Sequence, residues 1–419
     1  MNSEMFTGKK LLEIYKEKFM KDDTDRIFGE FNGSRIGLRS DKGNNIMVIG
    51  TSGRGKTYNY VMPNLLTGAE SAIITNKISC IDDKDMALFA QKGVKVHFID
   101  FSDPAHSGRY NPFCKTPDSN ANERTEMLYS YLTDILYELD EDETTRNYEG
   151  QFLRMAIRYI LTNDSLRTDE RNIRRMFDVL IDIEDDYNNL NKYDTTKNKI
   201  YINNLRYNEK AYRILSRVID KISIVNDAYF DCFSEYEGCD LLTAESLRKQ
   251  QQYWFVHSSY GTYFEAEQAK DFFLACIMSD IYGTTKGCGV HFYLDDFWCT
   301  IPSDLLTVIL ERNSKAGFGV SVITQTLESV YSYCGSRDMM SRFMNSMNAV
   351  VYLGGMKQYG KITEYTRRTL SADGGVSLTE EQVLDLSEFA EKVIVFTNDN
   401  LPIICDKTEM YREARNKIS

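Results

Sequence analysis

Gly50-Thr51-Ser52-Gly53-Arg54-Gly55-Lys56-Thr57 follows the apolar run Ile46-Met47-Val48-Ile49 and is followed by helix-compatible residues. It fits G-x-x-x-x-G-K-[ST] in the setting that gives the pattern meaning: a buried strand, a tight glycine turn and a helix start. Glycines there let successive backbone N–H groups turn inward into a concave nest for phosphate oxygens. Lys56 is expected to reach the β- and γ-phosphates and the Thr57 hydroxyl to ligate Mg2+, while the helix N-terminus adds a favourable dipole. The octapeptide implies binding of ATP or GTP.

Working outward, the chain alternates strand and helix from residue 46 to about 113. Strands are expected at Ile46–Ile49, Ser71–Thr75 and Val94–Ile99, with helices over 57–67 and 83–92 between them. Such alternation predicts a parallel sheet with helices on its faces. Residues 120–225 read differently. Met127, Leu128, Tyr131, Leu132, Ile135 and Leu136 recur at helical spacing, as do Phe152, Met155, Ala156, Tyr159 and Ile160. These apolar stripes are expected to form a core of their own. Strand–helix alternation resumes at Tyr253–Val256, with a helix over 264–282 and strands at Val290–Leu294, Gly319–Thr324, Ala349–Leu353, Val393–Phe396 and Ile403–Cys405. The fold class is therefore α/β: a P-loop NTPase with a mostly parallel central sheet and an inserted all-helical domain. Four segments follow: a lead-in over 1–40, a nucleotide-binding domain in two parts (41–115 and 241–419), and the all-alpha insertion over 116–240.

The chain has 419 residues, a 42% apolar and 27% charged composition and no run of ~18 uninterrupted apolar residues, which reads as an ordinary globular protein without a membrane span. The N-terminus lacks a signal-peptide pattern. Nine scattered cysteines without a C-x-x-C pair suit a reducing compartment. Net charge is -12, which excludes a generally basic nucleic-acid binder. Residues 116–240 hold 26 acidic and 16 basic side chains, net -10, so this one segment carries nearly all the acidity. The four histidines are far apart; His97 and His291 lie in apolar strand-like runs and read as structural.

A phosphate cradle needs a metal partner and a group that activates water. Asp295 ends the apolar strand Val290–Leu294, at the edge of a parallel sheet that faces a bound nucleotide, so it is the expected Mg2+ partner. Asp296 is placed to orient and polarise the attacking water. Gln325 ends the next strand, where its amide is expected to contact the γ-phosphate.

The run GTSGRGKTYNYVMPNLLTGAESAIIT and the later VHFIDFSDPAHSGRYNPF resemble the TraG/TraD group of conjugative type IV coupling proteins, which are FtsK–HerA-like P-loop ATPases. FYLDDF, VITQTLESVYSYCG and NAVVYLGG extend the resemblance in the right order over most of residues 33–405. The resemblance implies a RecA-like, ring-forming, commonly hexameric ATPase that uses ATP and Mg2+. It would couple relaxase-bound single-stranded DNA to a type IV secretion channel at the inner face of the membrane, with relaxosome proteins as partners. Carried over by position, Gly50 through Thr57 form the nucleotide loop, with Asp295 at the metal, Asp296 as water-activating acid and Gln325 as γ-phosphate sensor. The implied location is cytoplasmic, or peripheral at the cytoplasmic membrane through partners.

Several departures qualify that reading. Thr75-Asn76-Lys77-Ile78-Ser79 lacks the family's T-D-P-K-G pattern, and Asp296 is one methylene shorter than the usual Glu. Ser314 stands where most members carry an arginine that acts across a subunit boundary; Arg312 and Lys315 are the nearby substitutes. The family's N-terminal pair of transmembrane helices is missing, and Lys9 to Lys21 form an amphipathic helix candidate instead. Two alternatives therefore stand beside a DNA-translocating ATPase. One is a weakly hydrolysing, ATP-gated docking adaptor for protein substrates; the other is a DNA pump unrelated to secretion.

Overall fold

A computed structural model of the chain describes residues 26–31, 34–38, 44–75, 81–114, 118–193, 198–206, 209–223, 231–258, 264–284, 286–297, 301–354, 392–397 and 400–418. Among them, the strands are β1 (Arg26–Phe31), β2 (Ser34–Leu38), β3 (Asn45–Ile49), β4 (Ser71–Thr75), β5 (Lys95–Asp100), β6 (Gln252–His257), β7 (Val290–Leu294), β8 (Phe318–Thr324), β9 (Ala349–Tyr352), β10 (Lys392–Thr397) and β11 (Asn400–Asp406). They form one eleven-stranded sheet in the order β2-β1-β11-β10-β9-β3-β8-β7-β4-β6-β5. Every neighbouring pair from β9 to β5 is parallel, while β10, β11, β1 and β2 extend the β9 edge antiparallel. The expected fold class, a mostly parallel α/β sheet with helices around it, holds.

The apolar runs read as strands because both sheet faces are covered. All five residues of β3, β4 and β7 are buried. Alternation then sorts them by face: Met47 and Ile49 join one core, Ile46 and Val48 the other. The second core is covered by the helices Met62–Thr67, Asp83–Gln91 and Met410–Asn416. Within it, Tyr60 and His291 each lie 2.7 Å from the Ser321 hydroxyl, so His291 is a satisfied structural histidine.

The inserted segment folds into helices Asp118–Tyr131, Glu143–Thr162, Ile173–Asp185, Lys199–Leu205 and Glu209–Ser223. Asp142 and Asn172 cap two of them by accepting the Thr145 and Arg175 N–H at 2.8 Å. The expectation of a separate core is corrected here. Phe152, Met155, Leu180 and Leu215 belong to the same apolar cluster as Met47, Phe101, Phe273 and Val322 of the sheet side. Aromatic contacts bridge the two parts, Phe101 to Phe233 at 5.7 Å and Phe233 to Phe272 at 5.3 Å between ring centres. Apolar surface on the stripes is thus removed from water against the sheet side as well as among the helices.

Two strands were not expected. The β1–β2 hairpin lies within the supposed lead-in, and it joins the sheet through Glu30 opposite Asp406. Gly29 and Gly37 interrupt its pattern, and a Cβ at Gly29 would stand 2.5 Å from the Asp406 carbonyl oxygen. The glycine that looks like a breaker is what admits β11. The helix candidate Lys9–Lys21 and residues 76–80 lie outside the described residues. Among the described residues, no helix is long and apolar enough to cross a membrane.

Candidate nucleotide site

β3 delivers the chain to Gly50 at the C-terminal edge of the parallel strands. The Gly50 N–H donates to the Thr324 carbonyl at 3.1 Å and the Thr51 N–H to the Gly354 carbonyl at 3.3 Å, which anchors the loop between β8 and β9. Gly53 and Gly55 take φ of 77° and 78°, the left-handed region that favours glycine. At Gly55 a Cβ would also meet the Asn59 amide nitrogen at 2.1 Å. Ser52 and Arg54 complete the turn. Lys56 is buried, with Nζ donating to the Gly50 carbonyl at 2.9 Å, across the mouth of the loop. Thr57 starts a π-helical turn, Thr57–Val61, that runs on into Met62–Thr67.

β7 brings Asp295 to the same edge. The Thr57 hydroxyl donates to Asp295 Oδ2 at 3.1 Å, across 238 positions of sequence. The Thr75 hydroxyl accepts the Asp295 N–H at 3.0 Å, so β4 also fixes this carboxylate. Burial and the neighbouring Asp296 charge push the Asp295 carboxyl up to about 6, against the opposing pull of Thr57, the Asp296 amide and Lys56. A hydroxyl beside a desolvated carboxylate is a hard-oxygen pair short of a cation, which suits Mg2+. Asp296 has φ 47°, the one non-glycine residue with positive φ among those described. Its N–H donates to Asp295 Oδ1 at 3.0 Å. Gln325, at the end of β8 between β3 and β7, points its amide toward Asp296 Oδ1 at 3.5 Å. All the residues expected at the phosphates thus converge at one sheet edge.

Arg312 and Lys315 do not. Both are exposed on the helix Ser303–Ala316, whose end leads into the start of β8. β8 runs parallel to β3, Asn45 opposite Val320 and Ile49 opposite Thr324. These cations therefore lie at the other edge of the sheet, roughly 20 Å from their own loop at ~3.3 Å per residue.

Sequence reasoning missed a cavity that shares Asp295, Asp296 and Gln325 with the site. A cavity of about 430 Å3 opens at the strand ends and is lined by Asp295, Asp296, Gln325, Ser258, Glu267 and Lys270 among others. Glu267 and Lys270 sit in the helix Phe264–Tyr282 beside Glu265, Asp271 and Asp280, and nothing in the local pattern singles these two out. Also missed was a C-terminal brace on the loop, the Lys407 ammonium donating to the Arg54 carbonyl at 3.1 Å.

Residues 7–212 match the family model "Type IV secretory system Conjugative DNA transfer". No curated protein sequence matches the chain. Among solved structures, bacterial conjugative coupling protein TrwBdeltaN70 in complex with sulphate is similar at TM-score 0.63 and 13% identity, covering 94% of this chain and 92% of its own. TrwB in complex with ADP and Mg2+ is similar at TM-score 0.61, 13% identity, and coverage of 94% and 91%. VirB4 of Thermoanaerobacter pseudethanolicus follows at TM-score 0.60, 13% identity, and coverage of 94% and 99%. At such identity the structural likeness is one of fold. Together with the family match it agrees with the resemblance read from the motifs.

Proposed function

We propose that this chain is a coupling ATPase of type IV secretion, which binds ATP with Mg2+ and uses it to deliver single-stranded DNA, carried by a relaxase, to the secretion channel. The observation that carries the reading is the Thr57–Asp295 contact, which joins the phosphate loop to the acidic strand end with Gln325 between them. The TrwB complexes with ADP and Mg2+ and with ADPNP support it. Gly50 through Lys56 would cradle the phosphates, Thr57 and Asp295 hold the metal, Asp296 take the proton of the attacking water, and Gln325 sense the γ-phosphate. Mg2+ supplies charge neutralisation and fixes the phosphate geometry. The subunit would act in a ring, commonly a hexamer, in which the exposed Arg312 or Lys315 would complete a neighbour's loop. The domain bounds 41–115, 116–240 and 241–419 belong to the same proposal, with the insert as the face toward relaxosome proteins.

The test is ATP binding and hydrolysis, with and without single-stranded DNA, for wild type and Lys56→Ala. DNA-stimulated turnover that Lys56→Ala abolishes is expected, and DNA affinity should fall with salt at a slope of about -0.7 per phosphate contact. Wild-type turnover in Lys56→Ala overturns the site. The net charge of -10 over residues 116–240 favours a second reading, an ATP-gated docking adaptor for protein substrates, since that surface repels phosphates. Turnover that is slow and indifferent to DNA selects it.

A further inference from the structure

The cavity beside the catalytic acids holds a buried ion pair that none of the roles above uses. Lys270 and Glu267 face each other one helical turn apart, and Glu267 also accepts a hydrogen bond from the Ser258 hydroxyl at 2.6 Å. All three are under 10% exposed. Ser258 follows β6 at the same sheet edge as Asp295, and all three line the cavity with Asp295, Asp296 and Gln325. Among the described lining residues, Lys270 is the one lysine or arginine, in a cavity that three carboxylates also line. Burying such a pair costs several kcal/mol in desolvation, and well-packed apolar residues hold a helix as firmly. Its place in the cavity that Asp295, Asp296 and Gln325 also line points to a chemical role.

We propose that Lys270 supplies, from within the same subunit, the positive charge that stabilises the transferred phosphoryl group. This inference rests on the ATPase reading above. In hydrolysis the water oxygen bonds to the γ-phosphorus while the bond from γ-phosphorus to the bridging oxygen breaks, its electron pair leaving on ADP. Asp296 accepts the water proton. Lys270 transfers no proton; its ammonium offsets the charge that spreads over the equatorial oxygens, where a cation has the largest effect. The flexible four-carbon stem suits this, because it can turn from Glu267 toward a phosphate while Ser258 keeps Glu267 in place. Lys56, by contrast, already serves the ground-state phosphates.

The experiment compares wild type, Lys270→Met, Lys270→Arg and the double variant Lys270→Met with Glu267→Gln, which leaves no unpaired buried charge. Affinities for Mg-ADPNP and for Mg-ADP with aluminium fluoride are measured by thermal shift and by trapping of a fluorescent ADP. Lys270→Met and the double variant are expected to bind Mg-ADPNP within about twofold of wild type, yet to weaken the aluminium fluoride complex at least about tenfold. Lys270→Arg should restore part of it. Trapping equal to wild type in the Met variants, or equal losses for both ligands, overturns the inference while leaving the nucleotide site standing. A wild-type protein that binds neither ligand overturns both.

Discussion

Asp296 shows how much one residue can carry. A left-handed φ costs on the order of 1 kcal/mol for most side chains, and aspartate and asparagine tolerate it best because their short polar groups bond locally. That makes an aspartate intelligible at this position: φ of 47° favours the shorter side chain. Asp296→Asn should therefore fold and bind Mg-ADPNP like wild type but lose about 10²–10³-fold in phosphate release, since only proton acceptance is removed. Unchanged phosphate release would remove Asp296 from the reaction. Its neighbour predicts a pH dependence. Asp295 titrates near 6, above the ordinary carboxylate range, so the metal-free site gains a proton as pH falls through 6 and loses it above. Mg2+ must displace that proton, so Mg2+-dependent stabilisation should weaken steadily from pH 7 to 5 and be full above 7. The same sign makes Asp295→Asn raise the melting temperature of metal-free protein at pH 8. A lowered one would mean that the carboxylate stabilises the empty site.

At the scale of elements, the phosphate loop works because rigid neighbours hold it. β8 and β9 take its first two N–H groups, the brace from Lys407 holds its far side, and Tyr58 packs on Tyr411 of the C-terminal helix at 5.3 Å between ring centres. Gly55→Ala should break the loop without unfolding the sheet, because the new Cβ meets both the φ of 78° and Asn59. Nucleotide affinity is expected to fall by about 1–3 kcal/mol while far-UV circular dichroism stays unchanged. Wild-type affinity would show that the nest tolerates a side chain. The loop and strand were legible in the sequence because each is local, a glycine pattern and an apolar run. The brace was not, since it joins Arg54 to Lys407 across 353 positions.

At the scale of the molecule, the decisive geometry is that Arg312 and Lys315 lie at one sheet edge and the phosphate loop at the other. An Arg312→Ala, Lys315→Ala double variant should bind ATP normally and lose most hydrolysis, because a neighbour's site goes without its cation. Mixing it with Lys56→Ala protein should restore part of the activity through one intact composite site. Wild-type turnover in the double variant, or a wild type that stays monomeric with ATP and DNA, would sink the shared site. The joined core carries its own lesson. The insert packs on the sheet face through Phe233 against Phe101 and Phe272, and Arg124 and Tyr110 meet at Asp280 across the same seam. Its helices were legible from period and caps, but their partner was not, since periodicity shows which face is apolar and never what covers it.

The sequence alone determined the nucleotide loop, the strands and helices that bear it, and the acidic and amide residues at two other strand ends. Each follows from residues adjacent in the chain, where glycine freedom, side-chain period and backbone polarity act over a few positions. Only the tertiary structure decided that Thr57 meets Asp295, that Gly29 admits β11, that Ser258, Glu267 and Lys270 wall the cavity, and that Arg312 and Lys315 face away from it. Those outcomes depend on strand order and on which surfaces the sheet buries. Strand order is settled by the total free energy of packing across the whole chain, and no local pattern encodes it.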